Sequence, residues 1–537
     1  MSRYNYLPFG DENAESDELL IPCQVDKKNP EEHKPILIGR WGIGKTALLL
    51  LQNQQQTELL KSVSPELERI WYLSESSLDV VILSNLKGKY QSEPDVFIKS
   101  LEEIWKSEIC RIYTIILAKT KHLFKNKSGK HWNHIETVAK SNKSILKTIW
   151  KQVPNILDSL TNGGDSNTFD DIKNSVDSLV SDATYENIIK CLQDIQSDEY
   201  LPCIVIEPIE TPTSALEKQQ GLAQYLIIAL LNTFYKYFRP DRRNFFIRIS
   251  IPWHRYVVKE TDFPQKIYQH KGSVEWHKEK LKEFIEKRIK WEFDRIGKKY
   301  NLNSKRGLWY VLFEDTITNG WCVPAIAEDS FDYFLRHTHY RARDLLRLTR
   351  ECVLEEAKIK GIGIDDVLLY GKISAFTISE TFHRVGPQIT GQLIEEGNRR
   401  FPGLSTLTDH LKGLPLPFST EEFKKRIKNI TNINFNDAIN MMWESGLLGV
   451  CAKPLTQKCS KRLAMHFTAK AKRTYRNKVS EMHELWTWFE YNYEGKALEL
   501  MGKLNHLDCT EHGLVFHPKT FEFFFPNPKE LSTPIGV

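Results

Sequence analysis

This sequence of 537 residues has no apolar run long enough to cross a membrane and no pair of cysteines in C-x-x-C spacing. A membrane-spanning helix needs about 20 apolar residues, so we expect none. The closest cysteines, Cys451 and Cys459, have no histidine or cysteine cluster beside them, which argues against a zinc site. Because the first thirty residues are polar and acidic, unlike a signal peptide, we expect a cytoplasmic protein with free thiols.

The sequence also lacks internal repeats, low-complexity tracts and any motif of a nuclease or a protease. A chain of this length is too long for one hydrophobic core, and we expect roughly two to four domains. Its content of 41% hydrophobic and 27% charged residues is that of an ordinary globular protein. The net charge of +5 is small for this size, so only its distribution along the chain is informative.

What the sequence does contain is a phosphate-binding pattern near its N-terminus. Residues 39–46 match G-x-x-x-x-G-K-[ST] completely and lie between a strand pattern and a helix pattern. Glycines let backbone N–H groups wrap around an anion, Lys45 would reach the β- and γ-phosphates, and Thr46 would ligate Mg²⁺. The alternative is a chance glycine turn. We predict that ATP and Mg²⁺ bind through Gly39, Trp41, Gly42, Ile43, Gly44, Lys45, Thr46 and Ala47.

Apolar runs and helical periodicity alternate through the first two-thirds of the chain. Strands are predicted at residues 35–38, 70–73, 201–206 and 244–251, and helices at about 215–237 and 276–289. The stretch from about 96 to 200 has a helical pattern and is interpreted as an insertion between core strands. The alternation predicts an α/β fold, namely a P-loop NTPase with a parallel sheet and a helical insertion.

A smaller module is predicted to begin near residue 401. Ser419 and Glu422 have the spacing of a capping box, which opens a helix that continues to about 427. A second helix is predicted at 435–443, and short strands at 447–450 and 463–467. Helix, helix and hairpin in this order is the pattern of a winged helix. The predicted parts are an NTPase core at 1–350, a helical linker or lid at 351–400, a winged-helix-like module at 401–480 and an unassigned extension at 481–537.

Hydrolysis needs carboxylates near the bound phosphates, and the predicted strand at 201–206 runs directly into Glu207 and Glu210. A carboxylate at the end of a neighbouring strand holds Mg²⁺ through water, and a second one polarises the attacking water. Glu207, together with Thr46, is therefore a candidate for the metal, and both glutamates are candidates for catalysis. The alternative is that they are two solvated residues of a turn.

Three arginines are candidates for a contact with the γ-phosphate. Arg341 and Arg343 open a predicted helix, and a lid helix packed over the nucleotide would bring them to the phosphate. The alternative is that both are surface charges and that Asp344 favours the helix N-terminus. Arg255, just past the strand that ends at residue 251, is a further candidate for the same role.

A basic stretch lies on the predicted wing and just beyond it. Between Cys451 and Ser480 there is no Asp or Glu, and nine positive residues are present: Lys453, Lys458, Lys461, Arg462, Lys470, Lys472, Arg473, Arg476 and Lys478. Such a stretch suits the phosphate backbone of a nucleic acid, an acidic protein partner, or no ligand at all. The predicted helix at 435–443 has no Arg or Lys, so the sequence does not predict base-specific readout.

Together these features resemble bacterial P-loop ATPases allied to the STAND and KAP NTPases. The resemblance rests on the lead-in Phe9-Gly10 with Ala14-Glu15, the loop at 39–46, the Arg-x-Arg-Asp-Leu helix at 341–345 and the added winged helix; it covers roughly 6–60, 200–255, 275–350 and 400–470. The chain departs from the family where Glu207-Pro-Ile-Glu210 replaces an Asp-rich segment and where Pro252-Trp-His254 replaces a charged Arg-x-Asp. Both departures argue against fast turnover.

The resemblance implies a switch of the kind found in anti-phage (antiviral) defence loci, in which nucleotide state controls assembly of an oligomer or engagement of a partner. We expect an ATP-binding regulatory ATPase. One alternative is a nucleotide-locked scaffold with little hydrolysis that presents an effector protein. A second alternative is an ATPase of DNA replication or transposition, which also joins such a core to a winged helix.

Overall fold

The computed structural model divides the chain into two compact units, which we describe separately. The sheet unit is Pro22–Glu275, and the helical unit is Met1–Ile21 with Trp276–Val537. The structure describes residues 8–10, 34–40, 42–49, 72–74, 94–121, 129–141, 182–193, 203–207, 222–239, 246–253, 261–274, 276–300, 307–319, 326–338, 340–414, 418–430, 433–454, 486–488, 497–505 and 510–516. The helices from residue 278 onward belong to the helical unit.

The sheet unit is built on a five-stranded parallel sheet. Its strands are β1 (Ile36–Gly39), β2 (Tyr72–Ser74), β3 (Cys203–Glu207), β4 (Phe246–Pro252) and β5 (Lys271–Ser273). They lie side by side in the order β2-β3-β4-β1-β5, and all four neighbouring pairs are parallel. The three central strands, β3, β4 and β1, are short and rich in Ile, as expected for a sheet that is covered on both faces. The predicted α/β class with a parallel sheet is confirmed.

One face of this sheet is covered by helices. They are α1 (Pro94–Thr120), α2 (Lys130–Ser141), α3 (Asp182–Gln193), α4 (Leu222–Tyr237) and the short α5 (Pro264–Tyr268). Alternate strand residues such as Ile36, Ile204 and Ile249 share one buried cluster with Trp105 of α1 and Phe234 of α4. The segment predicted to be an insertion therefore supplies much of the apolar cover of the sheet and is part of the core of this unit.

The opposite face carries a smaller cluster beneath the helical segment that follows β1. Residues 45–49 are helical. Leu48 and Leu49 of this segment pack with Leu37 of β1, Val205 of β3 and Val274. Since side chains alternate along a strand, Leu37 lies on the face opposite to Ile36 and Ile38. This packing fixes the helical segment directly against the carboxyl end of β1.

The helical unit contains most of the remaining elements. Its helices are α6 (Lys278–Arg295), α7 (Trp309–Leu312), α8 (Ser330–Thr338), α9 (Ala342–Lys360), α10 (Ile364–Tyr370), α11 (Ala375–Arg400), α12 (Leu404–Leu411), α13 (Thr420–Ile427), α14 (Phe435–Glu444) and α15 (Ala497–Asn505). Its strands are β6 (Thr316–Asn319), β7 (Ile326–Asp329), β8 (Leu448–Pro454), β9 (Trp486–Trp488) and β10 (Thr510–Phe516). Strands β6 and β7 form an antiparallel pair.

Residues 8–10 are clamped between α6 and α9. Arg350 donates to the carbonyl oxygens of Pro8 and Gly10, and Arg288 donates to that of Phe9. The Phe9 N–H donates to Glu292 Oε1 at 2.6 Å. Phe9 is fully buried and has a φ of 67°, in the left-handed region that side chains rarely adopt. Three buried charged side chains thus satisfy the backbone of a strained turn.

The C-terminal part of the helical unit has its own core. Strand β8 is the central strand of an antiparallel sheet in the order β10-β8-β9. Leu448 and Val450 of β8 pack with Phe423 of α13, Met442 of α14 and Leu500 of α15. The predicted helices at 419–427 and 435–443 and the predicted strand at 447–450 are confirmed. The predicted strand at 463–467 lies outside the described residues, and the described partners of β8 come from the extension that the sequence left unassigned.

The helices were also compared with the dimensions of a bilayer. Within the described part of the chain, no helix combines the length and the hydropathy that crossing a membrane requires.

Candidate functional site

The turn between β1 and the helical segment at 45–49 has the geometry of a glycine-dependent loop. Gly42 has a φ of 73° and Gly44 a φ of 98°, values at which a side chain would be strained. A Cβ on Gly39 would lie 2.9 Å from Ile43 Cγ2, so the loop folds back closely over this residue. The backbone of the loop therefore favours glycine at 42 and 44, and at Gly39 an added Cβ would force the Ile43 side chain to shift.

Lys45 lies at the inner side of this loop. It is 3% exposed, and its Nζ donates to the carbonyl oxygen of Arg40 at 3.2 Å. A buried ammonium group requires hydrogen-bond acceptors, because an unsatisfied buried charge is strongly unfavourable. Phosphate oxygens would be better acceptors than this neutral carbonyl, since hydrogen bonds between two charged groups are shorter and stronger. The loop therefore holds a positive charge in a position where an anion would be stabilised.

The other predicted residues of the loop occupy consecutive places around it. Ile43 is in the turn, whereas Thr46 and Ala47 are in the first helical turn and remain partly exposed. A hydroxyl at this position is accessible to a ligand held by the loop. Trp41 lies outside the described residues.

The carboxyl end of β3 lies two strands away from the loop. Strand β4 lies between β1 and β3, so the acidic strand is not the direct neighbour of β1. Two strand spacings amount to roughly 10 Å. Glu207 is the last residue of β3, and its backbone pairs with that of Ser74 on β2. Glu210 and Arg255, the other two candidates from this region, lie outside the described residues.

The intervening strand β4 contributes two residues that sequence reasoning missed. Ser250 is fully buried in register with Leu37 of β1, and among the described residues its Oγ has no hydrogen-bond partner. Trp253 follows the end of β4, and its ring lies 4.5 Å from the guanidinium carbon of Arg40. No local pattern marks either residue in the sequence, because both owe their place to the pairing of β4 with β1.

The two arginines at the start of α9 have different surroundings. Arg341 is 4% exposed, and its Nη2 lies 2.9 Å from Oε2 of Glu396, which is also buried. Arg343 is exposed in the first turn. The preceding residue, Tyr340, has a φ of 55°, and burial, reinforced by Asp332 and Glu279, raises its pKa to about 12. In this structure Arg341 holds two helices together, whereas Arg343 remains accessible.

The described residues contain no group of three or more His, Cys, Asp or Glu side chains that could hold a metal ion by themselves. Comparison with known proteins found no family model, no curated protein and no solved structure that matches this chain. The functional interpretation therefore rests on the chain's own residues, above all on the loop at 39–46 and the strands beside it.

Proposed function

We propose that the chain is an ATP-binding regulatory ATPase of the P-loop type, in which nucleotide state acts as a switch. The observation that carries the proposal is the loop after β1, where two glycines have positive φ, a third leaves no room for a Cβ, and Lys45 is buried beside them. Ligands of open parallel sheets bind at the carboxyl ends of the strands, which is where this loop lies.

The residues of the loop fit a nucleoside triphosphate. Backbone N–H groups between Gly42 and Lys45 would hold the phosphate oxygens, while the Lys45 ammonium would leave the Arg40 carbonyl for the β- and γ-phosphates. Thr46, in the first helical turn, would ligate Mg²⁺ through its hydroxyl. A bound Mg²⁺ neutralises charge on the phosphates during transfer to water. Glu207, at the end of a strand roughly two strand spacings away, would hold the ion through a water molecule.

The alternative of a nucleotide-locked scaffold is favoured by one specific contact. Arg341, a candidate for the γ-phosphate, has a buried carboxylate as its partner, Oε2 of Glu396. Moving this arginine to a phosphate would break the buried ion pair with Glu396, which is unfavourable. Arg343 and Arg255 are the remaining candidates for this role. Slow hydrolysis is therefore the expected behaviour of the switch.

The proposed partners follow from the sequence pattern and from the resemblance to defence-associated ATPases. We propose that the C-terminal part acts as a winged-helix-like module, that the basic stretch from Lys453 to Lys478 contacts nucleic acid without base specificity, and that the chain assembles as an oligomer or with an effector protein. Each phosphate contact on duplex DNA contributes about −0.9 to the slope of log K against log[salt]. Replacing Lys458, Lys461 and Arg462 with Ala should therefore flatten that slope by roughly 2–3.

The test of the proposed function is calorimetry of the wild-type chain with Mg·ATP, followed by measurement of phosphate release. We expect saturable binding that weakens when Mg²⁺ is chelated, and turnover well below the roughly 1–10³ s⁻¹ that is typical of enzymes. Glu207→Gln and Glu210→Gln should keep binding and slow phosphate release further. Absence of binding by the wild type would overturn the proposal. Wild-type turnover in both variants would show that β3 does not supply the catalytic carboxylates.

A further inference from the structure

The second residue of the glycine loop, Arg40, makes contacts in two directions. Its guanidinium carbon lies 4.5 Å from the ring centroid of Trp253, within the range of a cation–π interaction. Its carbonyl oxygen accepts a hydrogen bond from Lys45 Nζ at 3.2 Å. One residue therefore connects an aromatic side chain at the end of β4 with the lysine of the loop.

The pairing of β1 with β4 explains why these side chains meet. Gly39, the last residue of β1, pairs in parallel register with Pro252, the last residue of β4. Arg40 follows β1 and Trp253 follows β4, so both residues leave the sheet at the carboxyl ends of neighbouring strands. Pro252 has no N–H and a fixed φ, which restricts the path by which the chain reaches Trp253.

The loop needs such an anchor because its own sequence is flexible. Residues 39–46 contain three glycines, and glycine loses more conformational freedom on ordering than any other residue. A loop that is not held in its cradle shape would have to be ordered by the ligand, at the expense of affinity. A planar guanidinium stacked on an indole is a pairing that holds one end of the loop without occupying its N–H groups.

We propose that Trp253 is a positioning residue of the nucleotide site, which acts by stacking on Arg40 and so holds the loop in the shape that Lys45 and the phosphates require. The inference rests on the proposed function and adds to it a residue outside the motif. Neither Trp253 nor the Arg40 guanidinium needs to touch the nucleotide. The competing assignment is that Arg40 itself binds a phosphate, in which case the tryptophan would be dispensable.

A double-mutant cycle separates these two assignments. We expect Trp253→Leu and Arg40→Met each to weaken Mg·ATP binding about three- to tenfold in calorimetry. The double variant should bind no more weakly than the weaker single variant, because either change alone removes the stack. Conservative changes should rescue affinity in part: Trp253→Phe keeps an aromatic face, and Arg40→Lys keeps a cation.

Controls distinguish positioning from a general effect on folding. Trp291→Leu, at a tryptophan of the helical unit that is 37% exposed, should leave the affinity for Mg·ATP unchanged. Thermal unfolding without nucleotide shows whether Trp253→Leu folds; if it does not, Arg40→Met, at a partly exposed position, still tests the stack against Arg40→Lys.

Two outcomes would overturn the inference. Unchanged affinity in Trp253→Leu would show that the stack has no role. Additive losses in the cycle, that is, a loss in Arg40→Met that is equally large with and without Trp253, would show that the two residues act separately and would favour a direct contact of Arg40 with the phosphate. In these cases the proposed function stands, because the wild type binds; if the wild type itself does not bind Mg·ATP, both proposals fail.

Discussion

The glycine loop of the sheet unit and the α9–α11 helix pair of the helical unit both hold a buried positive charge, but they do so by different means. In the loop, Lys45 donates to a neutral carbonyl oxygen five residues earlier. In the helix pair, Arg341 faces the buried carboxylate of Glu396, which is 55 positions away. The contact with the Arg40 carbonyl can be exchanged for a phosphate without separating two opposite charges, whereas moving Arg341 would break an ion pair. Whether a positively charged residue can bind a phosphate therefore depends on the interaction that it would have to break, and not only on its residue type.

The helix pair shows the structural use of charge along its whole length. Glu356, near the end of α9, accepts from the Thr377 hydroxyl near the start of α11 and pairs with Lys360. Arg384 of α11 bridges Glu351 and Glu355 on α9 at 2.8 and 3.4 Å. These cross-links run between two antiparallel helices, so they fix the register of one against the other. The glycine loop relies instead on backbone shape.

The largest effect is expected from a change that removes the carboxylate partner of Arg341. Glu396→Gln leaves a buried guanidinium without a counter-charge, and we expect it to lower the free energy of unfolding by about 3–5 kcal/mol, measured by urea denaturation. The matched control is Glu395→Gln, since Glu395 forms an exposed pair with Arg399 that should contribute less than about 1 kcal/mol. Equal effects of the two changes would show that the buried pair is not structural.

A double replacement extends this test. Arg341→Met combined with Glu396→Leu removes both charges, so it should recover most of the stability lost in Glu396→Gln. Failure to recover would mean that Arg341 or Glu396 makes a further stabilising contact that the double replacement removes.

The hydrogen bonds of Arg350, Arg288 and Glu292 with residues 8–10 allow a test of whether buried charged side chains in the helical unit also stabilise a backbone turn. Arg350→Met removes the hydrogen bonds to the carbonyl oxygens of Pro8 and Gly10, and we expect a loss of about 1–3 kcal/mol in stability. The N-terminal segment should also become more sensitive to limited proteolysis. Arg347→Met, which removes an exposed hydrogen bond to Gln388, is the control and should change neither property. Unchanged proteolysis in Arg350→Met would contradict the clamp.

Substitution of a loop glycine tests whether the glycine loop depends on its backbone conformation. Gly44→Ala places a Cβ at a φ of 98°, and we expect about 1–2 kcal/mol of strain together with weaker Mg·ATP binding. Gly391→Ala is the control, because this glycine lies within α11 and an added Cβ meets nothing within 4 Å. There, alanine should stabilise the helix by up to about 1 kcal/mol. The same substitution should therefore have opposite signs at the two positions, and the same sign at both would contradict the loop geometry.

Much of the fold could be predicted from the sequence because the signals are local. The capping box of Ser419 and Glu422 spans four residues, and the structure contains both of its hydrogen bonds. The glycine loop spans eight residues between a strand and a helix. By contrast, Arg350 and Pro8 are 342 positions apart, and Ser250 lies beside Leu37 of β1 only through the register of β4. Such contacts depend on how elements pair in space, and no periodicity or spacing in one sequence encodes that.

The extension after residue 480 illustrates the same limit. Leu500 and Leu514 pack into the core around β8, yet the segment that separates them from β8 is long and strongly basic. The hairpin pattern therefore favours the nearer apolar run at 463–467, which lies outside the described residues. Strand order cannot be read from proximity in sequence when a long connection intervenes.

The affinity for Mg·ATP of three proteins, the wild type, Lys45→Ala and Lys34→Ala, tests the central claim most directly. Lys34 precedes the same strand at its other end, where its Nζ donates to the Gln269 carbonyl oxygen at 3.0 Å, so it controls for the loss of a lysine near β1. Removing a charge-assisted contact worth about 1.5–3 kcal/mol should weaken binding roughly ten- to hundredfold in Lys45→Ala. Lys34→Ala should bind as the wild type does. Wild-type affinity in Lys45→Ala would contradict the assignment of the loop at 39–46 as the nucleotide site.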